Sequence, residues 1–234
     1  MIDTGEGKEA WIASLKSTLS QHNITIEKAL LSHWHPDHVQ GIPHLLSHSP
    51  NTQVFKDHSD GNSEWHAISD GQTFSTEGAT LRAFHCPGHT TDHIAFVLEE
   101  EDAMFTADNV LGQGTAVFED LATYMKSLEA MRQQFSGRAY PGHGPVIDDG
   151  PAKISEYIKH RRQREQQVLD VLGREKEGGW TSMEIVKVIY KDYPQNLWEP
   201  AERGVVQILK KLKGEGKVVR SEEGRWSLSG KASL

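Results

Sequence analysis

The sequence predicts an α/β domain followed by a small helix–helix–hairpin module. Three observations carry this reading. Over residues 1–173, short apolar runs of strand composition alternate with helical stretches. The runs tend to end in polar, glycine-containing loops that carry His or Asp, which is how a rigid scaffold presents a site at one edge. Gly173 and the segment Glu175-Lys176-Glu177-Gly178-Gly179 then break a long helix and mark a boundary, giving domains 1–173 and 174–234.

The elements follow in order. Residues 10–21 carry Trp11, Ile12, Leu15 and Leu19 at helical spacing. "IEKALLS" reads as a short buried strand running into a histidine cluster, and "TQVFKDH" as another strand. "GQTFSTEGATLRAFHCPGHT" reads as two strands broken at Glu77-Gly78 and closed by a Pro-Gly turn. "HIAFVLEEEDAMFTAD" reads as strand, acidic turn, strand. "LATYMKSLEAMRQQF" is an amphipathic helix, and "GRAYPGHGPVI" a short strand with a Gly-rich loop. The long helix "PAKISEYIKHRRQREQQVLDVLG" is expected to bury Ile154, Tyr157, Ile158, Val168, Val171 and Leu172. Beyond the boundary, Thr181 and Glu184 form a capping-box pattern before a helix to about residue 190. A second helix covers residues 199–213 and ends at Gly214, and "KVVRSEEGRWSL" is a hairpin. This is the outline of a winged-helix module.

Composition narrows the function classes. No apolar run of the 234 residues is long enough to span a bilayer, so no membrane role is expected. The N-terminus has neither a basic nor an apolar leader region, and the single Cys86 fits a reducing compartment; the expected location is cytoplasmic. Net charge is −8, with 13 Lys+Arg against 24 Asp+Glu in residues 1–173 and 12 against 9 in 174–234. An acidic body argues against tight non-specific binding of nucleic acid.

The chemistry sits in "SHWHPDH". Side chains alternate along an extended segment, so His33 and His35 share a face and can grip one divalent ion. Pro36 forces a turn, and Asp37 and His38 follow on a new course. The spacing therefore suggests two adjacent metal positions, which six residues cannot complete. His89 in "CPGHTTDH", Asp108 at the end of "FTAD" and His143 in "YPGHGP" are the candidate partners. Imidazole and carboxylate ligands suit zinc, manganese or iron.

Together, "HWHPDH", "PGHT", "TAD" and "PGHG" in this order resemble the metallo-β-lactamase-fold hydrolases. The resemblance implies an αββα sandwich and two divalent cations, Zn²⁺ or Mn²⁺. His33, His35 and His89 would hold one, Asp37, His38 and His143 the other, and Asp108 would bridge them. Ala107 stands where that family usually has Gly, and its methyl group is expected to be tolerated at a negative φ. Family members usually carry several strands ahead of the Asp3-Thr4-Gly5 element. The fold is therefore expected to be shortened at its N-terminus, and an unpaired sheet edge would favour a homo-oligomer.

The segment "EGATLRAFHCPGHTTDHIAFVLEEEDAMFTADNVLGQGTAVFEDL" and "HRRQREQQVL" resemble the lactamase-β-like subfamily. That group includes fungal thioesterases that release polyketides from an acyl carrier protein, and a mitochondrial endoribonuclease. "EEEDAMFTADNVLG" and "YMKSL" are more similar to the fungal branch. The resemblance implies hydrolysis by a hydroxide formed at the dinuclear site, with Asp37 also holding or deprotonating the water. The expected substrate is a polyketide thioester on the acyl carrier protein of a polyketide synthase; the alternative is single-stranded RNA. A non-catalytic winged-helix binding protein is a third reading, against which the intact ligand set argues.

The remaining candidates carry less. His93 reads either as a group orienting a ligand or as a hydrogen-bonded strand histidine. Cys86 reads as a small, partly buried residue rather than a nucleophile. The run Lys159–Arg164 reads as a solvated helix face, and "TAVFEDL" as a loop near the metals. No substrate-binding residue is identified.

Overall fold

The computed structural model describes residues 1–59, 61 and 64–230. It divides into two compact units, Met1–Ser155 and Glu156–Leu234; residues 231–234 lie outside the described set. The division falls inside a long helix, whereas the boundary expected from sequence lies at that helix's end.

The first unit begins with α1 (Glu9–His22), β1 (Lys28–Leu30), α2 (Pro36–Val39), α3 (Ile42–His48), β2 (Gln53–Lys56) and β3 (His66–Ala67). It continues with β4 (Thr73–Thr76), β5 (Ala79–His85), β6 (Ile94–Leu98), β7 (Ala103–Ala107), α4 (Leu121–Met131) and β8 (Ala139–Pro141). α1 closes on Asn23 in the left-handed region, whose N–H caps the Leu19 carbonyl. α4 starts on Asp120, which accepts from the Thr123 N–H at 2.7 Å. It stops at Met131, short of the expected Phe135. The two short helices α2 and α3 and the two-residue β3 have too few residues to show a period.

The strands form two sheets. One is parallel, in the order β1-β2-β3, with Ile2 bridged to Leu30 at its β1 side. The other has the order β4-β5-β6-β7-β8, antiparallel except for the parallel pair β7-β8. Period-two alternation in β1 explains the layering. Ala29 and Leu31 point to one side, packing with Ile42 and Leu45 of α3 and with Trp11 and Leu15 of α1. Leu30 points the other way, into a second core with Phe74, Ala83, Ile94 and Phe96 of the larger sheet. α4 meets the larger sheet's loops through Tyr124, whose hydroxyl donates to the Asn109 carbonyl at 2.6 Å. Helix, sheet, sheet, helix is the expected sandwich. Lys56 and Asp92 form an ion pair at 2.5 Å within it, both almost fully buried.

The second unit holds most of α5 (Gly150–Leu172), then α6 (Ser182–Ile189), α7 (Trp198–Gly214) and the hairpin β9 (Val218–Arg220) and β10 (Trp226–Leu228). All six expected apolar residues of α5 are buried. Both hydrogen bonds of the Thr181/Glu184 capping box are present, at 3.2 and 2.9 Å. Ile185, Val186, Leu209, Leu212 and Trp226 supply a separate buried set. Trp180 pairs with Trp226 beside the hairpin, completing a winged-helix arrangement.

Candidate metal centre

The strands carry their ligands to one edge. His33 and His35 follow β1 in extended backbone, and His35 has φ −59° and ψ 144°. Pro36 then occupies the first turn of α2, so the change of direction is a helical turn that lifts Asp37 and His38 away from the first pair. His89 lies in the loop from β5 to β6. Asp108 directly follows β7, and His143 follows β8, its parallel neighbour. Gly142 is required here, because a Cβ at this position would collide with Asp108 Oδ1.

Two groups of ligand atoms result, each within 4.8 Å: His33, His35, His89 and Asp108, and Asp37, His38 and His143. His33 Nε2 and His89 Nε2 each lie 3.0 Å from His35 Nδ1. Three imidazole nitrogens at this spacing suit a cation about 2.0–2.1 Å from each. Asp108 faces both groups. Its Oδ1 is 3.4 Å from His38 Nε2, and its Oδ2 is 3.5 Å from His143 Nε2 and 3.8 Å from His89 Nε2. Asp37 Oδ2 is 3.0 Å from His143 Nε2. His38 Nε2 and Asp108 Oδ1 are buried without a hydrogen-bond partner. Buried polar atoms are costly unless paired, and a shared cation would satisfy both. The donor set fits divalent metal.

The outer nitrogens are fixed by residues that sequence reasoning missed. Asp3 Oδ2 accepts from His38 Nδ1 at 2.7 Å and from Ser32 Oγ at 2.8 Å, while Oδ1 accepts from the Ser32 N–H at 2.7 Å. Ser32 Oγ in turn accepts from His33 Nδ1 at 2.9 Å. One carboxylate thus orients side chains of both groups, turning the Nε2 of His33 and of His38 inward. Thr4 donates to the His38 carbonyl from its N–H (2.7 Å) and its hydroxyl (2.9 Å). His89 Nδ1 donates to the Val117 carbonyl at 2.8 Å, which brings the Thr115–Leu121 segment to the site as expected. Asn109 Nδ2 donates to the Cys86 carbonyl at 2.7 Å, tying the Asp108 loop to the His89 loop. The Asp-Thr-Gly element was the available signal; the carbonyl contacts had none.

Protonation follows from these surroundings. Burial and the neighbouring imidazoles push His33 far below its ordinary value, and burial lowers His89. His38 behaves oppositely: burial opposes its charge, but the Asp108 and Asp3 carboxylates raise it to about 10. Burial opposes ionisation of Asp108, yet His38 beside it holds its pKa below the usual range.

Ala107 departs from expectation. Its φ is +42°, not negative, because the backbone must swing Asp108 inward between the ligand loops. A non-glycine residue there carries strain of about 1–2 kcal/mol. Ala107→Gly is expected to stabilise the protein by about 0.5–1 kcal/mol, part of the gain being offset by the freer unfolded chain. That corresponds to a rise of about 1–4 °C in Tm by calorimetry.

His93 is fully buried, its ring centroid 5.2 Å from His33 and 5.8 Å from His89. Its Nδ1 faces Asn109 Nδ2 at 3.1 Å and Cys86 Sγ at 3.2 Å, so it packs against ligands without holding one by a hydrogen bond. Cys86 is buried completely rather than partly, and burial pushes its thiol up to about 12. Such a thiol is no nucleophile.

Comparison with known proteins agrees with this geometry. The metallo-beta-lactamase superfamily profile matches residues 1–143, and that of the beta-lactamase associated winged helix domain matches 181–226. The chain is 43% identical to the lactamase-like protein nscB of Arthroderma gypseum, over 93% of this chain and 74% of the relative. It is 41% identical to a protein named atrochrysone carboxyl ACP thioesterase of Aspergillus chevalieri, over 98% and 78%. A beta-lactamase domain protein from Burkholderia ambifaria shares the fold, with TM-score 0.82 at 17% identity, over 97% of this chain and 81% of that one. Sandwich, ligand order and sequence match agree: the chain belongs to the metallo-beta-lactamase superfamily.

Proposed function

We propose that the protein is a metal-dependent thioesterase that releases an acyl chain from an acyl carrier protein. The observation that carries this is the convergence of seven ligand side chains in two adjoining groups with Asp108 between them. The name of the Aspergillus chevalieri relative supports the substrate class. In this reading His33, His35 and His89 would hold one cation and Asp37, His38 and His143 the other, with Asp108 placed to serve both. Residues 1–173 form the catalytic domain and 174–234 the winged-helix module. No helix among the described residues is long and apolar enough to cross a membrane. The lone, buried Cys86 supports a cytoplasmic setting.

When bound, the two cations, Zn²⁺ or Mn²⁺, supply Lewis acidity that activates water and offsets charge on the thioester carbonyl oxygen. The chain's own residues do the rest. Asp37, partly exposed beside His143, takes the proton of the attacking water. Asp3 and Ser32 keep the Nε2 of His38 and of His33 turned inward. Elemental analysis of protein purified without added metal reports the occupant.

The raised pKa of His38 has a measurable consequence. At pH 7 His38 in the metal-free protein holds a proton that a cation must expel. Binding of Zn²⁺ is expected to release about one proton, and apparent affinity to rise about tenfold per pH unit between pH 7 and 9. Calorimetry in buffers of different ionisation enthalpy measures this; no proton release would contradict the assignment of His38.

The functional test offers the metal-loaded protein an acyl-carrier-protein thioester and a labelled single-stranded RNA. Thioester cleavage that a chelator abolishes is the expected result. Cleavage of RNA alone would overturn the proposal.

A further inference from the structure

The ligands of the first position, His33, His35 and His89, come from two different sheets. His33 and His35 follow β1 of the parallel sheet, whereas His89 lies between β5 and β6 of the larger one. His33 Nε2 and His89 Nε2 nevertheless each lie 3.0 Å from His35 Nδ1. Metal–nitrogen distances of about 2.0–2.1 Å leave little tolerance, so the offset between the sheets must be fixed close to the ligands. A backbone bond and an ion pair cross between the sheets here. The Ile94 N–H of β6 donates to the Ser32 carbonyl at 2.7 Å. Lys56, the last residue of β2, pairs with Asp92, two residues ahead of β6, at 2.5 Å. Register sets Lys56 beside the ligand strand, since Phe55 pairs with Leu30 and its carbonyl accepts from the Leu31 N–H at 2.9 Å. Asp92 passes the constraint to His89: its Oδ1 accepts from the hydroxyl of Thr90, the next residue after His89, at 2.7 Å. The loop is closed at its base by the Cys86 N–H on the His93 carbonyl and within by the Gly88 N–H on the Thr90 carbonyl, both at 2.9 Å. Lys56 Nζ also donates to the Asp57 carbonyl at 3.0 Å, which fixes the direction of the ammonium.

Lys56 is 2% exposed, and Thr90 and Asp92 are fully buried. Burial this deep argues against stability as the purpose of the pair. Desolvation offsets most of the attraction between buried charges, and apolar side chains of similar volume in their place are often neutral or stabilising. Apolar burial, however, is non-directional and would let the loop settle at more than one offset. An ion pair continued by a hydroxyl hydrogen bond fixes one. We propose that Lys56, Asp92 and Thr90 are positioning residues that lock the His89 loop of the larger sheet against the His33–His35 segment of the smaller one. None of the three belongs to either ligand group, so they act through His89. The second position takes Asp37 and His38 from α2 and His143 from beyond β8, and none of its ligands lies in the locked loop. The inference rests on the ligand assignment of the proposed function and is independent of the substrate.

The test titrates metal-free protein with Co²⁺, followed by visible absorption and by proton NMR. The Nδ1 protons of His89 and His38, held by the Val117 carbonyl and Asp3, report the two positions separately. The triple variant Lys56→Met, Thr90→Val, Asp92→Leu removes both charges and the hydroxyl together, so none of them is left buried without its partner. Its metal-free Tm is expected to equal or exceed that of the parent. Affinity at the His89 position is expected to fall about tenfold, the low end of the range for removing a ligand's outer support, with a changed Co²⁺ spectrum. Affinity at the His38 position is expected to stay unchanged. Parent-like affinity and spectrum at the His89 position would overturn the inference. So would a variant in which Tm and both affinities fall together, because that marks a pair that only holds the fold. Thr90→Val alone keeps the ion pair and serves if the triple variant does not fold. Weaker binding confined to the His89 position supports the inference, and unchanged binding overturns it. A parent protein that binds no Co²⁺ would instead refute the ligand assignment, and the inference with it.

Discussion

Asp37→Ala is expected to lower kcat at least about 10³-fold while the fold stays intact. Asp37 sits in the first turn of α2, with its side chain about one-third exposed. Its Oδ2 lies 3.0 Å from His143 Nε2 and 3.6 Å from His38 Nε2. Among the described residues its carboxylate pairs with the His38 and His143 side chains and holds no backbone group, so truncation removes a ligand candidate and a proton acceptor without opening the interior. Loss of a general base alone costs about 10²–10⁴, and a weakened cation adds to that. Tm of the metal-free variant should stay within about 2 °C of the parent. Elemental analysis should show depletion of one of two equivalents. Near-normal turnover with full metal content would show that Asp37 has neither role.

Asp3→Asn is expected to cost about 10–100-fold in metal affinity and in activity. The parent carboxylate accepts three hydrogen bonds, two from Ser32 and one from His38. An amide offers one oxygen and one NH₂. If the oxygen serves Ser32, the NH₂ faces His38 Nδ1, and that nitrogen must become the acceptor. The proton then moves to His38 Nε2, the atom that would face the cation. Removing such outer partners of a ligand typically costs 10–100-fold in affinity. The variant should also lose the high pKa of His38, which depends on the Asp108 and Asp3 carboxylates. An NMR titration of the metal-free variant should show His38 titrating well below the parent, a readout that a merely loosened loop would not move. Unchanged affinity together with an unchanged His38 titration would remove Asp3 from the site.

Much of this centre was legible along the chain because its logic is local. His33 and His35 share a face by the alternation of extended backbone, and Pro36 divides them from Asp37 and His38 within two residues. His89, Asp108 and His143 each close a strand-and-loop unit whose composition announces it. Capping at Thr181 and Glu184 was readable for the same reason: both bonds lie within one turn. Short elements such as β3 and α2 were not, since two to four residues show no period. Asp3 escaped because its importance comes from residues 29 and 35 positions away. Val117 escaped because a carbonyl has no side-chain signature. The φ of Ala107 was misjudged because its sign is set by where β7 and β8 deliver Asp108, not by alanine's own preference.

The sequence by itself determined which side chains could hold metal, their order, their division into two groups and the winged-helix outline, because backbone periodicity and turn chemistry act over a few residues. Only the tertiary structure decided that one carboxylate, Asp3, orients side chains of both groups through Ser32 and His38, and that the Val117 carbonyl fixes His89. Those features depend on the pairing and register of strands distant in the chain, and side-chain alternation says which face a residue takes but not what lies across from it.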